Sequence, residues 1–172
     1  MQKITVKELM TPIDQYTTIS EEASLKDAFM ALEGALRGEQ QADSGHPRDF
    51  AVLVLGKNRQ VIGRLVVWDV LKGLETQTVA RVDSMAMIEG YSTWGQPLAN
   101  LATKARYIKV RNLVKALDKR EYISEDANLD EAIRKLVSNR FLSLIVTRKG
   151  KTIGVLRVVD VFSKVCEKLK DS

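Results

Sequence analysis

The sequence predicts an α+β fold built from two copies of one unit. Three observations carry that expectation: a motif written twice, a match between the two copies over most of their length, and a hydrophobic period that switches between helical and strand spacing inside each copy. The motif is Gly-x-Leu-x-Val-x-Asp. It reads GRLVVWD from Gly63 to Asp69 and GVLRVVD from Gly154 to Asp160, each preceded by an isoleucine, Ile62 and Ile153. Upstream, the segment from Ile4 aligns with the segment from Ile108 at an offset of 104. Ile4, Val6, Leu9, Asp14, Ile19, Ser20, Glu21, Ala23, Leu25, Ala28 and Leu32 all meet identical residues. From Arg48 and Asn139 onward the offset is 91, read without a gap. The 13 extra residues of the first copy fall within Gly34–Pro47, a polar stretch with three glycines that reads as a helix extension plus an exposed loop.

Each copy follows one plan: helix, short strand, helix, strand, strand, helix. A first short helix starts at Thr5, with Glu8 completing a capping box. The extended segments YTTIS and REYIS come next. An amphipathic helix then opens at Ser24-x-x-Asp27 with Leu25, Ala28, Phe29 and Leu32 in one stripe; its counterpart opens at Asn128-x-x-Glu131 with Leu129, Ala132, Ile133 and Leu136. Two strands follow, FAVLVL and QVIGRLVV around a turn at GKNR, or LSLIV and TIGVLRVV around RKGK. The last helix starts near Asp69 or Asp160. The connection from Gly73 to Thr103 is too long to be structureless in a compact domain. Val79, Val82 and Ala86 keep helical spacing there, Met85 and Met87 read as pliable core, and Pro97 opens a further helix bearing Leu98, Leu101, Ala102 and Ala105.

Composition narrows the function. The chain has 172 residues, 45% hydrophobic and 28% charged, enough to bury a core without a metal or disulfide staple. Cys166 is the sole cysteine, so no internal disulfide forms, and it reads as an ordinary helix residue. His46, the one histidine, reads as a loop side chain. With no second histidine, no nucleophile–base pair and no Lys-Ser/Thr phosphate loop, the chain does not read as an enzyme. The N-terminal residues lack a continuous apolar segment of the signal-peptide kind and no run reaches membrane-span length, so the expectation is a soluble, cytoplasmic protein. A net charge of +5 favours anionic partners. Seven basic residues lie between Lys104 and Arg120 against one acid, Asp118; that stretch is either a solvated face or an anion-binding surface. Nucleic-acid binding through residues 104–120 has only Tyr107 to stack bases and no docking motif behind it.

The duplicated VKELMTP, TTISEEASLKDAF and VIGRLVVWDVL segments, with TIGVLRVVDVF closing the second copy, resemble a pair of CBS domains, the modules named after cystathionine beta-synthase. The resemblance covers residues 4–74, including the insertion at 34–47, and residues 108–169, with 75–107 as a helical connection. It implies a β-α-β-β-α core in each half, two three-stranded sheets about a pseudo-twofold axis, and clefts between the halves. AMP, ADP, ATP or S-adenosylmethionine would bind there as a regulatory ligand, with no cofactor required. It further implies pairing into a homodimer and an output through a separate effector protein. In this family the last strand ends in Gly-h-x-Thr/Ser-x-x-Asp, the hydroxyl facing phosphate or ribose and the Asp holding the ribose. Both aspartates are present, Asp69 and Asp160, but the hydroxyl position holds Val66 in the first copy and Arg157 in the second. The Val66 side chain cannot donate a hydrogen bond, whereas the planar fork of Arg157 suits phosphate. The expected ligand site therefore uses Arg157 and Asp160, with Thr18, Ile19 and Tyr122 as base contacts by repeat position. Two alternatives stand beside it: both aspartates suit helix capping without any ligand, and Arg157 can pair with a neighbouring carboxylate. With empty clefts the same fold would serve as a protein-interaction scaffold.

Overall fold

The computed structural model describes residues 3–41, 51–75, 98 and 100–171. In chain order the elements are helix α1 (Val6–Leu9), strand β1 (Thr11–Pro12), β2 (Thr18–Ser20), helix α2 (Leu25–Gln41), β3 (Ala51–Leu55), β4 (Val61–Val66), α3 (Val67–Glu75), α4 (Leu101–Tyr107), β5 (Lys115–Ala116), β6 (Tyr122–Ser124), α5 (Leu129–Asn139), β7 (Ser143–Arg148), β8 (Lys151–Arg157) and α6 (Val158–Lys170). Short 3-10 turns at Ile13–Gln15, Val110–Asn112 and Lys119–Glu121 join them. The readings made for His46, for Met85 and Met87, and for helical spacing at Val79–Ala86 lie outside the described residues.

The chain forms two compact units, and they do not coincide with the two repeats. One unit gathers residues 18–41, 51–75 and 100–116; the other gathers residues 3–17 and 117–171. In the first, β2 runs parallel to β3, β3 antiparallel to β4, and β4 antiparallel to β5. In the second, the order is β1-β8-β7-β6 with β6 and β7 parallel. The three strands expected per copy are thus joined by a short fourth, and that fourth strand comes from the other repeat.

The exchange repeats contact for contact. Val6 N donates to Ala127 O at 2.8 Å, as Val110 N does to Ala23 O at 2.9 Å. Lys7 N donates to Glu125 O, as Arg111 N does to Glu21 O. Leu129 N donates to Ile4 O, as Leu25 N does to Ile108 O. Thr11 and Pro12 lie against Val155 and Gly154, as Lys115 and Ala116 lie against Arg64 and Gly63. This explains the glycine of the duplicated motif. A Cβ on Gly63 would stand 2.5 Å from Lys115 O, and one on Gly154 would stand 2.6 Å from Thr11 O. Only a residue without a side chain lets the exchanged strand approach.

Each exchanged leader also fills the host's core. Ile108 and Val110 are buried with Leu25, Ala28 and Leu32 of α2, Val52 and Val54 of β3, Leu65 of β4, and Val70 and Leu74 of α3. Val6 is buried with Ile123, Ala132, Leu136, Leu144, Val146, Leu156 and Val161. At about 25 cal/mol per Å² of apolar surface, each such side chain contributes roughly 1.5–3 kcal/mol. Strands β3 and β7 are buried along four successive residues, as befits central strands covered on both faces. The caps form as expected: Ser24 N and Oγ donate to Asp27 Oδ2 at 2.8 and 2.7 Å, Glu131 N donates to Asn128 Oδ1 at 2.9 Å, and Thr5 N donates to Glu8 Oε1 at 2.9 Å.

Two details correct the sequence reading. The gapless offset of 91 holds for β4 and β8 but not for β3 and β7. Val54 pairs with Gly63 while Val146 pairs with Gly154, so β3 and β7 correspond at 92. One of the 13 extra residues therefore lies in the hairpin turn, where five residues separate the paired Leu55 and Val61 but four separate Thr147 and Thr152. The described part of the insertion is helical: α2 runs 17 residues against 11 in α5. The last helix of each repeat also starts at Val67 and Val158, two residues before the aspartates named as its start.

Candidate functional site

The two motif aspartates lie at the third position of their helices, not at the cap. Asp69 reaches back so that Val66 N donates to its Oδ2 at 3.0 Å, the return half of a capping box. The cap residue of α6 is Arg157, and Asp160 again lies three positions on. Here the guanidinium supplies the contacts. Arg157 Nε donates to Asp160 Oδ2 at 2.8 Å and Nη2 to Oδ1 at 2.9 Å. Both side chains are only 9% exposed. A planar fork on a carboxylate with two parallel bonds is among the stronger charge-assisted contacts, and burial raises the cost of separating the charges.

The local sequence explains this placement. Arg157 is the final residue of β8, opposite Ser143 on β7, and the chain turns directly into α6. One turn of helix then carries Asp160 back over the cap residue, where the N-terminal dipole favours its charge. Tyr122 opens β6 and lies across Ile145, which in turn pairs with Val155. Tyr122, Ser143 and Arg157 therefore share one end of this sheet. Tyr122 is half-buried, and its carbonyl accepts a hydrogen bond from Lys135 Nζ at 2.8 Å.

The other candidates belong to the unit holding the first repeat's sheet. Thr18 opens β2 with an exposed side chain, opposite Leu53. Ile19 is buried in the core beside Val52 and Val54, so its side chain packs the interior. Val66 ends β4 and Asp69 follows on α3, so these two come together as the motif spacing implied.

Three residues of the basic stretch are buried or ion-paired, while Arg106, Lys115 and Lys119 are exposed. Lys104 is buried on α4, with its Nζ donating to Leu74 O, the penultimate residue of α3, at 2.6 Å. Arg111 pairs with Glu22 at 3.0 Å. Arg120 donates to Asp118 through Nε and Nη2, and that hydrogen bonding holds the Asp118 carboxyl well below the ordinary carboxylate range. Sequence reasoning did not reach Glu125, a buried residue after β6 whose carboxylate takes Arg148 Nε and Nη2. The hydrogen bond from Arg148 keeps its pKa below the usual value. No spacing rule pairs residues 125 and 148; the parallel β6–β7 register does. Among the described residues, no cluster of three or more His, Cys, Asp or Glu is arranged to hold a metal, and no helix is long and apolar enough to cross a membrane.

Comparison with known proteins bears on the fold that carries these residues. Residues 110–167 match the sequence model of the CBS domain. No curated protein matches the chain. Among solved structures, CBSX2 from Arabidopsis thaliana, a CBS-pair protein, is 20% identical with a TM-score of 0.64, over 99% of this chain and 100% of that one. CBSX2 in complex with AMP is 22% identical with a TM-score of 0.60, over 95% and 97%. The CBS domain of a bacterial CNNM/CorC family Mg2+ transporter in complex with ATP is 16% identical with a TM-score of 0.62, over 94% and 87%. At such identities the likeness is one of fold. The chain thus carries a CBS domain over residues 110–167 and has, over nearly its whole length, the fold of a tandem CBS-domain protein.

Proposed function

We propose that this protein is a regulatory module, not a catalyst, that senses an adenosine nucleotide and passes the signal to a separate effector protein. The observation that carries the reading is the placement of Arg157 and Asp160 at the end of β8 and start of α6: a cation suited to phosphate beside a carboxylate suited to the ribose hydroxyls. Asp69 repeats the carboxylate in the first copy without the cation. Two neighbours of the same fold were solved with AMP and with ATP, which supports an adenine nucleotide as ligand class. Any regulatory effect requires that the ligand bind one arrangement of the protein better than another. The setting is cytoplasmic and the working species a homodimer. Apolar residues on the last helix of each repeat support the dimer: Leu71 on α3, and Phe162 at the equivalent position of α6, 67% exposed.

The scaffold reading draws on the same buried pair, since Arg157 and Asp160 are satisfied by each other without a ligand. Calorimetric titration with AMP, ADP, ATP and S-adenosylmethionine separates the two. Micromolar binding of one of them, weakened in both Arg157→Ala and Asp160→Ala, is the outcome expected of a sensor. Absence of binding by all four at millimolar concentration leaves the scaffold.

A further inference from the structure

We propose that residues 3–12 form a releasable latch, and that the groove they leave on residues 117–171 accepts the same segment from a second molecule of this protein. The two leaders make the same backbone contacts but are not held alike. The second leader follows directly on α4: Ile108 N donates to Lys104 O, and the buried Lys104 Nζ fixes α4 to Leu74 O in the same unit. The first leader belongs to a unit assembled from two separate pieces, residues 3–17 and 117–171, and the chain leaves it for the other unit between Thr17 and Thr18. It is held there by contacts alone. The anchors differ as well. Ile108 and Val110 are 1% and 0% exposed; of their counterparts Val6 is 1% exposed, but Ile4 is only half-buried. Strand β1 pairs with β8 over Thr11 and Pro12, and the proline has no N–H to donate. Tyr16, the other buried residue of this leader, lies beside the crossing to Thr18, so the part that leaves is residues 3–12. Without β1, strand β8 becomes an edge, a row of backbone groups open to pairing. Gly154 keeps that edge approachable by another backbone, and the place of Val6 opens onto the apolar cluster of Ile123, Leu136 and Val161. A second molecule carries the segment already matched to both, with Val6 and Thr11 at the spacing the groove requires. Exchange of an identical element is a low-cost route to association, because each contact broken within one molecule is remade with the other.

Native-state hydrogen exchange of the full chain tests the latch through amides matched in hydrogen bonding. Val6 and Lys7 donate to Ala127 O and Glu125 O, as Val110 and Arg111 donate to Ala23 O and Glu21 O. The first pair should open at least about tenfold more often than the second, with a weaker denaturant dependence than global unfolding. Equal protection of the two pairs overturns the latch. A labelled synthetic peptide of residues 3–17, followed by fluorescence anisotropy, tests the acceptor groove. Val6→Ala in the protein weakens its own latch, so the unaltered peptide should bind this variant about 10- to 100-fold more tightly than it binds the wild type. Ile4→Ala serves should that variant not fold. A disulfide between Thr11→Cys and Val155→Cys, in a chain that also carries Cys166→Ser, closes the latch and should abolish binding, because these two positions lie opposite each other on β1 and β8. A scrambled peptide should not bind. Binding that survives the disulfide, or that the scrambled peptide matches, places the contact elsewhere and overturns the acceptor groove, as does absence of binding to the protein with the weakened latch.

Discussion

The exchanged strands make Gly154→Ala an informative perturbation. An alanine Cβ at this position would stand 2.6 Å from Thr11 O and 2.9 Å from Met10 Sδ. The methionine can turn aside, but the carbonyl belongs to β1, paired residue by residue with Val155 and Gly154. Relief requires β1 to move off β8 by several tenths of an ångström at least. Overpacking of this kind costs about 1–3 kcal/mol. For a chain of this length each kcal/mol shifts Tm by roughly 2–4 °C, so the midpoint falls by about 2–12 °C. Gly34→Ala is the internal control: it lies within α2, nothing comes within 4 Å of its added Cβ, and the same chemical change stabilises by about 0.5–1 kcal/mol. Thermal unfolding followed by circular dichroism measures both, and limited proteolysis reports whether residues 3–17 loosen. A Gly154→Ala protein with unchanged midpoint and protease pattern refutes the claim that this glycine exists for the exchanged strand. Gly63→Ala, against Lys115 O, must behave in the same way for the argument to hold in both repeats.

The remaining predictions concern the charge pairs and caps. Arg157→Ala strands a buried carboxylate and lowers stability in urea by about 3–5 kcal/mol, whereas the double change Arg157→Met with Asp160→Leu recovers most of that loss; a double variant as unstable as the single one contradicts the pairing argument. Glu125→Gln tests the ion pair with Arg148 through pH. The hydrogen bond from Arg148 lowers the folded-state pKa of Glu125 beneath its ordinary 4.5, so its contribution is fully present above that value and disappears as pH falls through the folded pKa. The stability difference between wild type and Glu125→Gln should therefore shrink on acidification below 4.5, and a difference that is flat with pH argues against the pair. Asn128→Ala removes the acceptor for Glu131 N and costs about 1 kcal/mol, read as a lower urea midpoint at unchanged m-value.

Much of this protein is written in local patterns. The Ser24–Asp27 and Asn128–Glu131 caps, the helical stripes behind them and the alternation into strands all depend on residues within a turn or two of each other. They could be read in order along the chain and were found where the spacing placed them. The duplication was equally legible, because a core that is built twice needs the same apolar residues twice. The one-residue slip of β3 against β7 was not: Phe50 meets Phe141 and Leu53 meets Leu144 at offset 91, and only the ladder shows that the extra residue lies in the hairpin turn.

The tertiary structure alone decided three matters. It assigned each repeat's leader to the other repeat's sheet, a choice invisible in sequence because the leaders carry the same apolar residues in both copies (Ile4, Val6 and Leu9; Ile108, Val110 and Leu113), as do the helices that receive them (Leu25, Ala28 and Leu32; Leu129, Ala132 and Leu136). It joined Glu125 to Arg148 through the β6–β7 register, a contact that no sequence spacing encodes. It also turned the motif's aspartates into different things. The spacing of Arg157 and Asp160 permitted either a nucleotide site or an internal pair, and a three-residue interval says nothing about burial. The fold closed both side chains away from water at the end of β8, and in that setting a guanidinium and a carboxylate in reach of each other pair. The sequence by itself therefore determined which chemical groups the second repeat holds, and the burial imposed by the fold determined that the two of them pair.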